Sequence, residues 1–570
     1  MVQHNLPAQW DIETDLVCIG SGIGGLSAAI TAHENGLDTV VLERSDQVGG
    51  VTALSMGEVW VAGNHLAAEL GVDDSVGSGF RYLKRLSMGY GTDAAILNKV
   101  LHARLALKYF EDQIGLKMSV IRGCPDYYYG LNNDCLAEGR MLECEPFPAR
   151  DLGEWQAKTR ISPQMPYSLT HHDIFEKGGV ANMAQWDFEL MGQRLTEDVR
   201  CLGSGLAAYF VKGAIDRGIV MHTGTGVEEL IGDGRRVVGV RAVRDGQDIF
   251  VKASKGVVLA VSSYERNRDF TKTLSKQLEI GSMVFSQVDG AHYRLAGPMG
   301  ARVASVPDIT SLGFSVPGEE DEEGHPLWRT ALQALGQPHT IVVNRRGRRF
   351  GDESFYRQFY YMVDVIDGAD QTHPNFPCWA IIDSQVREKY PFGPIMPGQE
   401  WPEGFGVVAE SIAELAAKTG IDAEGLQATI ASFNRHAETG ADPEFGRGTR
   451  PWSAWMCGDP HQAPNPNLGP VAKAPFYAIE LSRMGTTAIP STGILIDHHS
   501  RALDWSNNPI AGLYVAGNSA ARMETGAVMQ SGVSNARGMT YGWLAARHAS
   551  GDASDLLEKE AHLADAGVSS

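Results

Sequence analysis

The stretch Asp15–Gly25, Asp-Leu-Val-Cys-Ile-Gly-Ser-Gly-Ile-Gly-Gly, constrains this chain more than any other. An apolar run enters Gly20-x-Gly22-x-x-Gly25, and a segment of helical character follows from Leu26 to Gly36. A second apolar run, Thr39–Leu42, then ends at Glu43. Strand, glycine triplet, helix, strand and acid in this order predict a βαβ unit that holds a dinucleotide. Gly20 permits the tight turn, Gly22 lets a pyrophosphate approach the backbone, and Gly25 lets helix and strand pack closely. The helix N-terminus turns unpaired N–H groups and a positive dipole end toward the phosphates. Glu43, about 20 residues past the first glycine, suits a ribose diol.

At 570 residues the chain is long enough for two to four domains, taking ~150 residues for each. A net charge of −20 argues against nucleic acid, whose binding rests on Lys and Arg neutralising phosphates. The seven cysteines are scattered without a C-x-x-C pair, and Cys124, Cys135 and Cys144 are too widely spaced for a zinc knuckle. They read as reduced, buried small hydrophobes, and no metal site is expected. No basic-then-apolar leader opens the chain and no apolar run reaches ~18 residues. The expectation is a cytoplasmic protein, with peripheral membrane contact left open.

After Glu43 comes Gly49-Gly50-Val51-Thr52-Ala53-Leu54-Ser55-Met56-Gly57, whose small and hydroxyl residues let the backbone lie against a flat polar ligand. A nicotinamide site does not require this block, whereas a longer cofactor reaching across the domain does. Residues 76–115 read as helical. Pro125-Asp126-Tyr127-Tyr128-Tyr129 crowds three tyrosines beside a proline, so at least one hydroxyl is expected in a cleft. His171-His172 reads as surface or loop, since no third ligand has matching spacing. Gly203–Gly218 reads as a helix, followed by a β-meander at Val227–Ile231, Val237–Arg241 and Ile249–Val251 and a buried strand at Lys255–Val261. Residues 305–330 read as an acidic surface loop. Thr340–Asn344 reads as a strand leading into Arg345-Arg346-Gly347-Arg348-Arg349, a charged turn or an acid-binding cluster. Phe355, Tyr356, Phe359, Tyr360 and Tyr361 suit either a flat apolar ligand or plain core packing. Helices are expected at Ala409–Thr419 and Ala423–Thr439. The last 120 residues or so return to strand–turn–helix character: Gly512–Asn518 reads as a strand ending in a Gly-Asn turn, and Gly532–Gly538 opens a helix. The nucleotide domain is therefore expected from both chain ends, 1–288 and 446–570, with 289–445 inserted between them.

These pieces together resemble the flavoproteins of the fumarate reductase and 3-ketosteroid dehydrogenase superfamily, 3-ketosteroid dehydrogenases most of all. The resemblance rests on Gly20–Gly25 with Glu43; Gly49-Gly50 through Ser55 and Trp60; Pro125-Asp126-Tyr127-Tyr128 followed by Glu138-Gly139-Arg140; Asp289-Gly290; Val343–Phe350 followed by Glu353-Ser354; Phe476-Tyr477-Ala478; and Gly512–Asn518. It implies an α/β fold: a Rossmann-like FAD-binding domain, a sheet with helices and a β-meander, built from both ends, and an inserted α+β capping domain. FAD would be held noncovalently by Gly20, Gly22, Gly24, Gly25, Glu43 and Arg44 in the first unit. Gly50, Thr52, Ser55 and Gly57 would follow, then Val227, Ala260 and Asp289, and finally Gly517, Asn518, Gly532 and Val533. The implied reaction removes hydrogens from adjacent carbons of a 3-ketosteroid-like ring ketone, by 1,2- or 4,5-dehydrogenation. A hydride goes to flavin N5, a tyrosine takes the proton beside the carbonyl, and a tyrosine hydroxyl with a backbone N–H holds the carbonyl oxygen. A quinone or another carrier would take the electrons onward.

The chain departs from this pattern at several positions. The family's tyrosine three or four residues before the glycine matched by Gly532 is replaced by Met529 and Val528. Tyr356 comes one residue early in the Glu-Ser-x-x-Tyr pattern, and Arg357 fills the expected place. Ser262 and Ser263 stand where glycines are usual, and Gly485-Thr486 continues as Thr487-Ala488-Ile489 rather than as paired glycines. Tyr127, Tyr128 and Tyr356 are then the candidates for hydroxyl roles, Tyr360 and Tyr361 stand behind them, and Ser531 and the Gly532 N–H remain. Two alternatives stay open. One is a reductase of a conjugated alkene of fumarate or enone type, with Arg345–Arg349, Arg357 and Arg522 as candidate cations. The other is a non-catalytic binding protein of the same fold.

Overall fold

The computed structural model describes residues 6–165, 168–485, 489–527 and 529–552, with the side chain of Tyr360 excepted. The departures at 486–488 and at Val528 lie outside the described residues.

The strand Ile12–Ile19 lies inside an eight-stranded sheet. Its last four residues, Leu16–Ile19, are buried on both faces, which is what a continuous apolar run dictates. Thr39–Leu42 pairs with it in parallel on one side, and the far half of Gln247–Leu259 pairs in parallel on the other. Pro509–Val515 joins beyond, its Leu513 opposite Val257. One sheet therefore takes strands from both chain ends. Thr225–Gly232 and Val237–Arg244 form the expected meander. The two strands expected at 249–251 and 255–261 are one 13-residue strand, Gln247–Leu259. A register shift between Thr14 and Leu16 lets it continue past the bend, first as a meander edge and then as a central parallel strand.

The helices Ile23–Glu34 and Val533–Ala549 pack against each other on one face of this sheet. Residues 76–115 form two helices, Val76–Ser87 and Asp93–Ile114, capped by the Ser75 and Thr92 hydroxyls. All seven cysteines are free and buried.

A second, six-stranded sheet runs in the order Pro326–Thr330, Ser311–Glu320, Phe476–Met484, Cys378–Asp383, Thr340–Asn344, with Val407–Ala409 also on Phe476–Met484. It has separate apolar clusters on its two faces. The segment 305–330, expected as loop, supplies two strands of this sheet. Its partner is about 170 residues away in sequence, so local pattern gave no sign of the pairing. The acidic residues sit around the hairpin tip, where Glu319 and Asp321 make ion pairs with Arg329 and Arg266, and Glu323 lies 3.6 Å from His325 Nδ1. The expected borders at 288/289 and 445/446 are not where the sheets divide. The helix Ala291–Ala296 packs on the first sheet, and Phe476–Met484 lies in the interior of the second.

Candidate functional site: two cavities that share a wall

The first cavity, with open space of about 1430 Å³, runs along the ends of the parallel strands. Gly20, Gly22 and Gly24 line one end with Glu43 and Arg44. Gly50, Thr52 and Ser55 line its length, Val227 and Ala260 one side, and Gly517, Asn518 and Gly532 the far end. Two helix N-termini open onto it. Gly22 caps Ile23–Glu34 and Gly532 caps Val533–Ala549, neither with a side chain of its own; Ile23 N–H donates to Thr52 Oγ1 at 3.1 Å and Val533 N–H to the Gln530 carbonyl, and the N–H groups that follow in each first turn face the ligand space. The Glu43 carboxylate accepts from Ser21 N–H at 2.9 Å and Ser21 Oγ at 2.6 Å, and from Ser45 N–H at 2.9 Å. Ser21 thereby fixes the acid at the cavity end.

Four expected contacts do not line this cavity. Gly25 is a packing glycine: a Cβ there would lie 1.9 Å from the Gly20 carbonyl oxygen. Gly57 abuts the Leu202–Gly203 backbone. Asp289 acts at the rim, where it pairs with Arg44 at 2.8 Å. Val533 is buried in a core cluster with Trp60. A long cavity with a glycine-lined end, two glycine-headed helix N-termini and an acid at the ribose position fits FAD. The Ser262 departure has a backbone correlate, for its φ is 64°, a conformation glycine adopts without strain.

The second cavity, with open space of about 1400 Å³, borders the second sheet at Ser311, Arg329 and Thr330 and is largely apolar. Met165, Phe175, Met183, Trp186, Leu332 and Met456 supply much of its surface. It shares Ser55, Met56, Glu58, Met529 and Ser531 with the first cavity. Tyr127 and Tyr356 are in its wall, both packed on Trp452 at ring distances of 4.5 and 5.6 Å. Tyr128 is in the wall of neither and meets Phe355 edge-on. The Arg357 guanidinium lies 3.2 Å from the Tyr127 ring centroid, and its Nε donates to the Met529 carbonyl at 3.1 Å. Arg522 is buried and donates to the Pro490 carbonyl. Of Arg345–Arg349, only Arg349 is buried, and it is committed to Glu353 and Asp442 at 2.6 and 2.9 Å. Among the described residues, the one arginine in the wall of the second cavity is Arg329, paired with Glu319. Tyr361 is more than a third exposed and donates to the Ala527 carbonyl.

The Pro125–Tyr128 and Gly139-Arg140 blocks meet for a structural reason. Asp126 accepts from Trp60 Nε1 at 2.9 Å and from Arg140 at 2.8 Å, and Arg140 also holds Asp74 at 2.6 Å, all buried. Gln530 Oε1 accepts from Tyr82 Oη and from Tyr127 N–H, tying the 529–532 segment to that turn.

The sequence reading missed the most charged part of the site. Glu58, buried between the cavities, accepts from the Ser531 hydroxyl. His171 Nε2 is 3.5 Å from Glu58, an ion-pair distance, and His171 Nδ1 is 3.0 Å from Glu143. His171, expected at the surface, is fully buried, and only His172 is exposed. Burial pushes the His171 pKa down, but hydrogen bonds and charge from Glu143 and Glu58 outweigh it and lift the value to about 10. Burial pushes the Glu58 carboxyl up, and His171, Ser531 and Arg357 together hold it below the ordinary carboxylate value. One signal could have found Glu58: an acid set among small and apolar residues in Ser55-Met-Gly-Glu-Val-Trp60 must have a buried partner.

The FAD binding domain family matches residues 15–534. The chain is 30% identical to a 4-oxocyclohexanecarboxylate 2-dehydrogenase of Sinomonas cyclohexanicum, over 95% of this chain and 93% of that one. It is 29% identical to a 3-oxosteroid 1-dehydrogenase of Mycobacterium tuberculosis, over 94% of this chain and 98% of that one. Its fold superposes on the 3-ketosteroid delta1-dehydrogenase of Sterolibacterium denitrificans, solved with 1,4-androstadiene-3,17-dione, with a TM-score of 0.85 and 28% identity, covering 95% and 99% of the two chains. No described helix is long and apolar enough to cross a membrane. With a cavity that fits FAD and full-length similarity of this kind, the chain belongs to the FAD binding domain family and is an FAD-dependent dehydrogenase.

Proposed function

We propose that this enzyme desaturates a ring ketone of 3-ketosteroid size, in the 1,2- or 4,5-position. One observation carries the reading: a large apolar cavity meets the FAD cavity along Glu58, Met529 and Ser531, with two tyrosines in its wall. Bound FAD supplies the acceptor for a hydride lost from one ring carbon. The chain supplies the rest. Apolar side chains bind the fused rings at ~25 cal/mol for each Å² of apolar surface buried. The Gly532 N–H and the hydroxyls of Tyr127 and Tyr356 are assigned to the carbonyl oxygen. A C–H next to a ketone is a very weak acid until that oxygen is stabilised, and one such donor is worth ~3–4 kcal/mol. Ser531, bound to Glu58, fixes the segment that presents the Gly532 N–H.

Arg329 supports a second reading, a smaller ring ketone that carries a carboxylate, as in the name of the Sinomonas relative. Anaerobic flavin bleaching separates the two. A saturated or Δ4 3-ketosteroid should bleach the purified yellow protein. Bleaching by 4-oxocyclohexanecarboxylate alone would favour the smaller substrate. Bleaching by neither, with reoxidation of the reduced flavin by fumarate, would favour an alkene reductase.

A further inference from the structure

Glu58 is the buried charge for which the proposed chemistry has so far given no task. It faces both cavities, 4% exposed, and reaches His171 on one side and the Ser531 hydroxyl on the other. Behind His171, Glu143 closes the row: it pairs with Nδ1 at 3.0 Å and accepts the backbone N–H groups of His171 and His172 at 2.6 and 3.0 Å. The row holds two carboxylates and one imidazolium, and so one unit of excess negative charge. Burying such a charge is costly unless it is paired and hydrogen-bonded. Arg357, also buried and electrostatically felt by Glu58, partly offsets it. Taking up one proton would make the Glu58–His171–Glu143 row neutral. At the same time, the sequence has Val528, Met529 and Arg357 where the resembled family has its tyrosines.

We propose that Glu58 is the catalytic base that removes the proton from the carbon next to the substrate carbonyl, with His171 and Glu143 as positioning residues that hold it in place. The inference rests on the ring-ketone reading above. The α C–H bond breaks and its proton forms an O–H bond on Glu58. The electron pair of that bond becomes the new carbon–carbon π bond as the neighbouring carbon loses its hydride. The substrate gives up one proton to Glu58 and one hydride, which carries both electrons, to the cofactor, so charge and hydrogens balance. Solvent then takes the proton from Glu58 for the next turnover.

The test isolates proton removal from oxidation. Holoenzyme is reduced with dithionite, so no hydride can leave, and is incubated in D2O with 5α-androstane-3,17-dione and, separately, 4-oxocyclohexanecarboxylate. Deuterium entry beside the ring carbonyl is followed by mass spectrometry. Wild type should exchange, and E58Q should exchange at least ~100-fold more slowly, the scale of a lost general base. Flavin content and the ligand-induced flavin shift should stay at wild-type values. E58D keeps the charge but withdraws it, and should fold, bind ligand and lose about tenfold or more of the exchange. If E58Q does not retain flavin, E58D decides alone. Exchange within about threefold of wild type in the deciding variant would overturn the proposal, as would loss of exchange in Y356F or Y127F with E58Q unaffected. A changed flavin potential in E58Q with intact exchange would assign Glu58 to the flavin and overturn it as well. A wild type that neither exchanges nor bleaches with either ketone overturns the ring-ketone reading itself, a result distinct from the variant outcomes, and the proposal falls with it.

Discussion

The buried His171 imidazolium makes folding and pH speak to each other. Folding raises its pKa from 6.5 to about 10, so its stabilising effect is complete below about 6.5 and is lost as pH climbs through about 10. The Glu58 carboxyl moves the other way. Its stabilising effect is present above its ordinary 4.5 and is lost as pH falls through its lower folded value. The row is therefore most stabilising between about 4.5 and 6.5. H171Q leaves two buried carboxylates without their cation, and should cost about 3–5 kcal/mol at neutral pH. In urea titrations across pH, wild type should lose stability from neutral to alkaline pH and H171Q should show a flatter alkaline limb; equal slopes would refute the assignment. Tyr127 and Tyr356 make a milder prediction. Y127F and Y356F each remove one hydroxyl from the wall of the second cavity, and each should lower kcat about 10²-fold with little change in steroid-induced flavin shift if that hydroxyl holds the carbonyl. Unchanged kcat in both would remove them from the oxyanion site.

At the level of elements, the two helices whose N-termini open onto the first cavity are locked together by glycines. A Cβ at Gly542 would lie 2.3 Å from the Gly24 carbonyl oxygen, and one at Gly538 would lie 2.5 Å from Ile23 Cγ2. Such close backbone contact keeps both helix starts in register with one cofactor. G542A should push the helices apart, costing about 1–3 kcal/mol in thermal or urea unfolding. Flavin content of the purified variant should fall alongside, whereas full flavin at wild-type stability would show that the contact is not needed. The glycine fingerprint and the long helices were legible, because each is a local pattern. The hairpin from Ser311 to Thr330 was not, because its strands exist only against Phe476–Met484. Likewise, the resemblance implies a ligand contact at Gly57, but what Gly57 touches is the Leu202–Gly203 backbone, and Gly25 has only the packing role that its motif position predicts.

For the molecule as a whole, the first sheet has a strand from each end of the chain and the first cavity runs along the ends of those strands, so cofactor binding and global stability should be coupled. Removing FAD should lower the melting temperature, and adding it back should restore it. At a hundredfold excess over Kd, the restored stability should be about 2.7 kcal/mol. An apoprotein that melts at the same temperature would mean that the cavity does not depend on its occupant. The sequence by itself determined the βαβ unit and the dehydrogenase lineage, because those depend on spacing along a few neighbouring residues, and the joining of the two chain ends, because the same strand–turn–helix pattern recurs near the C-terminus. Only the tertiary structure decided which tyrosines reach the second cavity, that Asp126 and Arg140 hold each other, and that Glu58, His171 and Glu143 form one row. These residues lie tens to hundreds of positions apart, and a buried charge can be recognised only when its partners are seen beside it.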